Sequence, residues 1–388
     1  MNIGLIGFGT VGEGVWRILE QRDDLFVKYV LDIRDLPPLG KTQHVKDLSV
    51  LLNDPEIDTV VELIGGEHPA LEFICQALNA GKNVVTANKY LLCLHYDMLL
   101  DLAGQNGVTL RFTAAAGGGI PWLVNLSRAE RLVRIDAVSG IMNGTTNYIL
   151  DAMQTNGDDF APALKEAQRL GFAEADPTMD IDGHDTCHKT VLSANIAFGV
   201  ALEKKDVPCF GIRSIEKRDL DGALQNGCTI KLIGKACRVG GSDKIAAFVE
   251  PTVCPLDLPE GNIHGCDNII TFDGEHIGKT QFIGAGAGRF PTGYAVAQDL
   301  IDLAENAGKE PLSYQPSRTR TATYCDLEKH RYYLRTDFTS DPFYSSLKTE
   351  PWGAGVRCEP VSVSEMHAFA RRALDAGKSV FFAGFQWN

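Results

Sequence analysis

Asp185 and Lys189 stand four residues apart near the start of a predicted helix over 184–198. That spacing brings two side chains together on one helix face, in the order carboxylate then ammonium that a helix tolerates best. Cys187, Val191, Ala194 and Phe198 form one apolar stripe of this helix, and Leu192 and Ile196 continue the face of the pair itself. A helix apolar on more than one side is buried. An exposed pair of this kind is an ordinary solvated salt bridge. The continuing apolar face points instead to a lysine drawn out of water beside a carboxylate, and a desolvated amine can exchange protons near neutral pH.

The pair closes an acidic stretch, 171–189, that also carries Glu174, Asp176, Asp180 and Asp182 around an Asp176-Pro177 turn. A calcium loop counted from Asp180 fails. It would put His184, Asp185 and Val191 where a ligand, a glycine and a bidentate glutamate are needed.

A proton carrier needs a reaction to serve, and the N-terminus supplies one. Residues 2–6 are an apolar strand that runs into Gly7-Phe8-Gly9-Thr10-Val11-Gly12 and then a helix with Val11, Val15, Ile18 and Leu19 on one side. Strand, glycine turn and helix together make a dinucleotide fingerprint: the glycines allow a tight turn and close backbone approach, and the helix N-terminus attracts the pyrophosphate. The cofactor is therefore expected to be NAD or NADP. In the second strand, over 26–33, Asp32 suits a free ribose 2′-hydroxyl and the adjoining Arg34 suits a 2′-phosphate, so the preference stays open.

Further strands over 59–64 and 83–85 end at Gly65-Gly66 and at Thr86-Ala87-Asn88-Lys89. Ligands of an open parallel sheet bind beyond the carboxyl ends of its strands, which directs Gly65, Gly66 and Lys89 toward the crevice of the first glycine turn. A strand over 109–113 leads into Ala114-Ala115-Ala116-Gly117-Gly118-Gly119-Ile120-Pro121, where small residues let two backbones approach closely. The strand over 135–141 runs into Met142-Asn143-Gly144-Thr145-Thr146-Asn147-Tyr148 and a helix. The hydroxyls, amides and helix start there form a polar cradle for a carboxylate or carboxamide.

The segment 141–150, the acidic stretch 171–189, Thr86-Ala87-Asn88-Lys89 and Gly117-Gly118-Gly119-Ile120-Pro121 together resemble homoserine dehydrogenase, in the same order and with similar spacing. Gly284-Ala285-Gly286-Ala287-Gly288-Arg289-Phe290-Pro291-Thr292 resembles another stretch of that family, and the likeness runs over about residues 1–308. It implies NAD(P)-dependent interconversion of L-homoserine and L-aspartate 4-semialdehyde by hydride transfer, in threonine and methionine biosynthesis, in a homodimer. By the same resemblance Lys189 is the proton donor and acceptor, Asp185 its partner, Glu174 a ligand of the substrate, and Lys89 lines the nicotinamide and substrate site. Asp176 joins Glu174 at the substrate ammonium, Thr145 contributes from the polar cradle, and Gly286 closes the nicotinamide end. Some members hold a monovalent cation through a glutamate just before the glycine-rich junction. Thr113 stands there, so no metal is expected.

Composition agrees with a cytoplasmic enzyme of small molecules. The 388 residues, 44% hydrophobic and 22% charged, suffice for two or three domains. A net charge of −13 argues against nucleic acid or an anionic membrane as partner. No apolar run reaches the roughly 18 residues needed to span a bilayer, and the chain opens into a strand where a signal peptide would be basic. Ten scattered cysteines without a C-x-x-C pair read as thiols in a reducing compartment.

The expected fold class is α/β. Residues 1–125 form an NAD(P)-binding Rossmann domain, completed by a helix at about 288–308. Residues 126–287 form a mixed α/β catalytic, substrate-binding and dimerisation domain, with strands over 229–238, 246–253 and 269–273. Residues 309–388 form a short C-terminal appendage, a reduced ACT-like domain by resemblance: Arg331-Tyr332-Tyr333-Leu334-Arg335 reads as its first strand and 378–385 as a later one. One helix, over 364–376, is expected between them. Ser340-Asp341-Pro342-Phe343 lacks the glycine of the family's turn, which argues against threonine feedback, and fusion to aspartokinase is not expected. The alternatives are a related Rossmann dehydrogenase acting on another amino-acid-derived alcohol, and a non-catalytic NAD(P)-sensing regulator.

Overall fold

A computed structural model of the chain describes residues 1–306, Tyr314 and 323–385. The expected domain boundary at 309 and the last residues of the helix foreseen to 308 lie outside the described residues. Two compact units result. One holds Met1–Leu132, Asn195–Gly199 and the stretch from Gly284; the other holds Val133–Ala194, Val200–Ile283 and the C-terminal described residues.

The first unit is built on a parallel sheet of β1 (Asn2–Ile6), β2 (Phe26–Leu31), β3 (Gln43–Val45), β4 (Ile57–Glu62), β5 (Asn83–Thr86) and β6 (Leu110–Arg111), in the order 3-2-1-4-5-6. That is the doubly wound Rossmann arrangement, whose order reverses on either side of β1. Strands covered on both faces need near-continuous apolar runs, and Ile3, Leu5, Val60, Val61, Val84 and Val85 are all fully buried. The helix Arg289–Glu305 packs Val296 and Leu300 into the same core as Val15 and Leu19 of the helix Thr10–Leu19. Each such buried leucine contributes about 2 kcal/mol. The two helices approach through glycine: a Cβ on Gly14 would fall 2.4 Å from the Arg289 carbonyl oxygen. β6 is shorter than the expected strand over 109–113, because the chain turns into a 3-10 helix at Thr113–Ala115.

The second unit carries a ten-stranded mixed sheet. Its members are β7 (Ile135–Ile141), β8 (Cys228–Arg238), β9 (Lys244–Pro255), β10 (Asp267–Gly274), β11 (Gly278–Ala285), β12 (Thr323–Tyr324), β13 (Lys329–Thr336), β14 (Thr349–Trp352), β15 (Gly355–Ser362) and β16 (Val380–Phe385). The path is 11-10-7-8-9-16-13-15-14, with β12 pairing β9. The expected antiparallel strands are β8, β9 and β10, each a little longer than its periodicity indicated. The helix His184–Phe198 falls where it was expected and is buried from Asp185 onward on every side.

The C-terminal part departs from its expectation. From β13 it runs strand, helix, strand, strand, helix, strand, with a short helix at Pro342–Ser346 and a full one at Val363–Asp375. Its strands lie in the order β16-β13-β15-β14, the ferredoxin-like split βαβ topology. The set of strands is thus complete, and only the first helix is cut down. The edge strand β14 is not legible as a strand because its exposed Thr349, Glu350 and Pro351 give no apolar alternation, and the turn that leads from it into β15 rests on Gly353 at φ 53°. A buried carboxylate ties this part to the rest of the sheet. Glu250 on β9 accepts from His330 at 2.6 Å and from His367 at 2.8 Å.

Candidate active site

The helix His184–Phe198 fixes the central pair. Lys189 and Asp185 are each 7% exposed, and the Lys189 Nζ lies 2.8 Å from Asp185 Oδ2. The same ammonium donates to the Met142 carbonyl at 2.6 Å. Desolvating an ion pair is costly unless further hydrogen bonds satisfy it, and here the residue that follows β7 provides one.

Asn143, expected in a polar cradle for a carboxylate or carboxamide, and Asp180, expected only as one acid of the loop, complete the cluster. Asn143 Nδ2 donates to Asp180 Oδ1 at 2.7 Å and to Asp185 Oδ2 at 2.9 Å. Burial pushes the Asp180 carboxyl up, and the nearby Asp185 adds to this; Asn143, Lys189 and the Thr145 hydroxyl draw it back. Asp180 had been visible as one of five acids in the stretch. The signal for Asn143 was its place before Gly144, where its Oδ1 caps the helix Gly144–Asn156 by accepting from Thr146 N at 2.8 Å.

The remaining residues foreseen around this pair are distributed as follows. Thr145 is buried and donates to the Phe172 carbonyl at 2.6 Å, which holds the start of the acidic loop. Glu174 is exposed, with its backbone carbonyl bonded by Gln168. Asp176 is exposed too. Its carboxylate accepts from Thr178 N at 3.1 Å and is held below the usual carboxylate range by that contact, a local capping task that the Asp-Pro turn explains. Lys89 is half-buried and begins the helix Lys89–Gln105, behind Asn88, whose side chain caps Leu91 N at 3.2 Å.

In the Rossmann unit the glycine turn can be tested against a dinucleotide directly. Gly7 has φ 92°, a Cβ on Gly12 would fall 2.1 Å from the Gly7 carbonyl oxygen, and beside Gly9 the space is open for 4 Å. Phe8, Thr10 and Val11 complete the turn, and the amides at the start of the helix Thr10–Leu19 have no partner within the helix. A bare backbone around open space, backed by those amides, fits a pyrophosphate.

Beyond β4 and β5, the buried Glu62 accepts from Thr86 Oγ1 at 2.6 Å and from Gly65 N at 3.1 Å, while Asn88 Nδ2 donates to the Gly66 carbonyl at 2.7 Å. Glu62 joins the two strand ends, a role its place inside an apolar strand did not advertise. The glycine-rich stretches near 118 and 286 cross in contact: a Cβ on Gly118 would fall 2.4 Å from Gly286, and Gly119 N donates to the Ala285 carbonyl.

Asp32 and Arg34 are not rivals but partners. Asp32 Oδ2 accepts from Phe8 N and Arg34 Nη2, both at 2.8 Å, and Oδ1 from Arg34 N at 2.9 Å and Nε at 3.0 Å. The guanidinium holds the buried Asp32 carboxyl well below the usual range. Thr113 is engaged as well, its amide and hydroxyl both donating to the Asp299 carboxylate, at 2.8 and 2.7 Å. Among the described residues no group of three or more His, Cys, Asp or Glu side chains is arranged to hold a metal ion.

Comparison with known proteins bears on both units. The family described as "Homoserine dehydrogenase" matches residues 121–301, and "Homoserine dehydrogenase, NAD binding domain" matches 7–113. A homoserine dehydrogenase of Corynebacterium glutamicum is 40% identical over 321 residues, which is 79% of this chain and 72% of that one. The chain belongs to the homoserine dehydrogenase family.

A homoserine dehydrogenase of Neisseria gonorrhoeae is 36% identical over 362 residues, 88% of this chain and 83% of its own. The crystal structure of a homoserine dehydrogenase from Thiobacillus denitrificans superposes with a TM-score of 0.88 at 32% identity, covering 100% of this chain and 98% of that one. The protein is accordingly an NAD(P)-dependent oxidoreductase of amino-acid biosynthesis with a small-molecule substrate, and its cofactor is NAD or NADP. Among the described residues no helix is long and apolar enough to cross a membrane.

Proposed function

We propose that Lys189 carries the proton in the interconversion of L-homoserine and L-aspartate 4-semialdehyde. The observation that carries this reading is the buried Lys189 ammonium held between the Asp185 carboxylate and the Met142 carbonyl. Oxidising the alcohol removes a proton from its oxygen and a hydride from its carbon; reducing the aldehyde returns both. When bound, NAD or NADP accepts or supplies the hydride. Lys189 takes or gives the proton at oxygen, the work of a positioned general acid and base. Asp185 holds the ammonium in place for the transfer.

Glu174, an exposed carboxylate, is assigned to the substrate ammonium, with Asp176 beside it in sequence. Thr145 shapes the polar end of the site, and Lys89 is assigned to nicotinamide and substrate contact. Gly7, Phe8, Gly9, Thr10, Val11, Gly12, Arg34, Gly65 and Gly286 are assigned to the cofactor. The domain reading that goes with these roles is a Rossmann domain at 1–125, a catalytic domain at 126–287 and a C-terminal appendage. A homodimer and a cytoplasmic location complete the proposal, and sedimentation at micromolar protein giving only monomer removes the dimer.

Oxidation of L-homoserine, measured with NAD and NADP in parallel on wild type and Lys189→Ala, tests the central assignment. The variant is expected to lose about 10²–10⁴-fold in kcat while cofactor affinity holds within about threefold. Near-full turnover by Lys189→Ala overturns the proton-carrying role.

A further inference from the structure

The amide of Asn143 is used at both ends. Its Oδ1 accepts from Thr146 N at 2.8 Å, so the helix Gly144–Asn156 fixes which way the amide points. Its Nδ2 then faces two acids, Asp180 Oδ1 at 2.7 Å and Asp185 Oδ2 at 2.9 Å. A primary amide nitrogen has two hydrogens, and each here meets a different carboxylate. Asp185 Oδ2 is also the oxygen that stands 2.8 Å from Lys189 Nζ. Asn143 is 5% exposed, so water does not compete freely for these bonds.

Two carboxyl groups brought this close repel when both are ionised, unless a donor or a cation lies between them. Lys189 serves one side of Asp185, and Asn143 serves the space between Asp185 and Asp180. The arrangement is also directional. Asp180 belongs to the short helix Thr178–Ile181 and Asp185 to the next helix, so each acid arrives on its own backbone segment and one amide ties the two together.

We propose that Asn143 is a positioning residue for the homoserine dehydrogenase reaction, clamping Asp180 to Asp185 so that Asp185 keeps presenting the same oxygen to Lys189. The inference rests on reading Lys189 as the proton carrier. It adds that the carrier's competence depends on a neutral double donor at position 143. An acid at that position keeps the capping oxygen and the volume, but it turns the donor into a third carboxylate. Protonated, it offers one donor in place of two; ionised, it offers none, and that ties turnover to pH.

The test compares Asn143→Asp and Asn143→Ser with wild type, and includes Lys189→Ala. Both Asn143 substitutions preserve a helix-capping oxygen; for Asn143→Ser the melting temperature is expected to stay within a few degrees of wild type, and for Asn143→Asp to fall at neutral pH, where a third buried carboxylate is ionised, and to return toward wild type in acid. Asn143→Asp is expected to lose about 30-fold or more in kcat at neutral pH and to recover part of it in acid, moving the optimum of the kcat profile down by at least about one pH unit. Asn143→Ser is expected to lose a similar amount with no recovery in acid, while cofactor KM stays near wild type in both.

A merely structural role would move the melting temperature of Asn143→Ser and leave the pH optimum in place. Asn143→Asp with kcat within about threefold of wild type and an unmoved optimum overturns the proposal. If Asn143→Asp does not fold, Asn143→Ser with wild-type kcat overturns it equally. Should Lys189→Ala be inactive while the Asn143 variants turn over normally, only the clamp fails; should Lys189→Ala remain active, the proton-carrier reading fails first.

Discussion

Lys189 Nζ and Asp185 Oδ2 are 2.8 Å apart on one helix face, with both side chains about nine-tenths buried. Removing either charge of such a pair leaves the other without its ionic partner in a poorly solvated place, and Asp185→Asn does so while keeping the packing intact. For Asp185→Asn we expect kcat to fall about 10–10²-fold, with cofactor KM unchanged and the protein folded. Steady-state kinetics on the purified variant check this. Wild-type kcat would show that the ammonium needs no carboxylate to work.

Glu174 is exposed on the acidic loop, so its replacement costs little stability, within about 0.5 kcal/mol. If it holds the substrate ammonium, Glu174→Ala raises the KM for L-homoserine about tenfold and changes kcat little, the signature of lost ground-state binding. An unmoved KM would take Glu174 out of the substrate site.

Arg34 covers the acid that would otherwise read a ribose. Both Asp32 oxygens are occupied, while the Arg34 side chain that occupies them is itself 59% exposed. That arrangement suits a 2′-phosphate. Arg34→Ala uncovers Asp32 and is expected to shift the ratio of kcat/KM for NADP over NAD toward NAD by about tenfold or more. A ratio that stays put would mean Arg34 only supports the loop.

Acid stability should report on Glu250. Burial works to raise its carboxyl, but His330 and His367 outweigh that and hold it at about 2, against an ordinary 4.5. Folding therefore favours the charged form. The stability this group supplies is fully present above pH 4.5 and is lost as the pH falls from 4.5 toward about 2. Thermal melts across that window are expected to fall for wild type and to flatten for Glu250→Gln, which already melts a few degrees lower at pH 7 because two imidazoles lose a charged partner. An equally steep acid slope in the variant would assign acid unfolding to other carboxylates.

Much of the fold and of the candidate site was written in short stretches of sequence. The i,i+4 spacing of Asp185 and Lys189, the strand and glycine turn at 2–12, and the strand over 135–141 are each decided by neighbours a few residues apart. One helix turn, one pleat or one glycine φ is enough to specify them. The all-round apolar character of the helix His184–Phe198 likewise announced its burial. What residues far apart do to one another was not legible. Asn143 meets Asp180 and Asp185 across 37 and 42 residues, and Glu250 meets His330 and His367 across 80 and 117.

Such meetings are set by strand register and chain reversal. Hydrophobic periodicity says which face of a strand is buried, not which strand lies beside it. Asp32 and Arg34 make the same point at short range. Sequence offered two competing readers of a ribose, and only the folded loop shows one side chain covering the other. Sequence alone determined the elements with strong local patterns, from the glycine turn to the buried helix; tertiary structure decided which oxygens those side chains spend on each other, because a hydrogen bond depends on distances of a few tenths of an ångström.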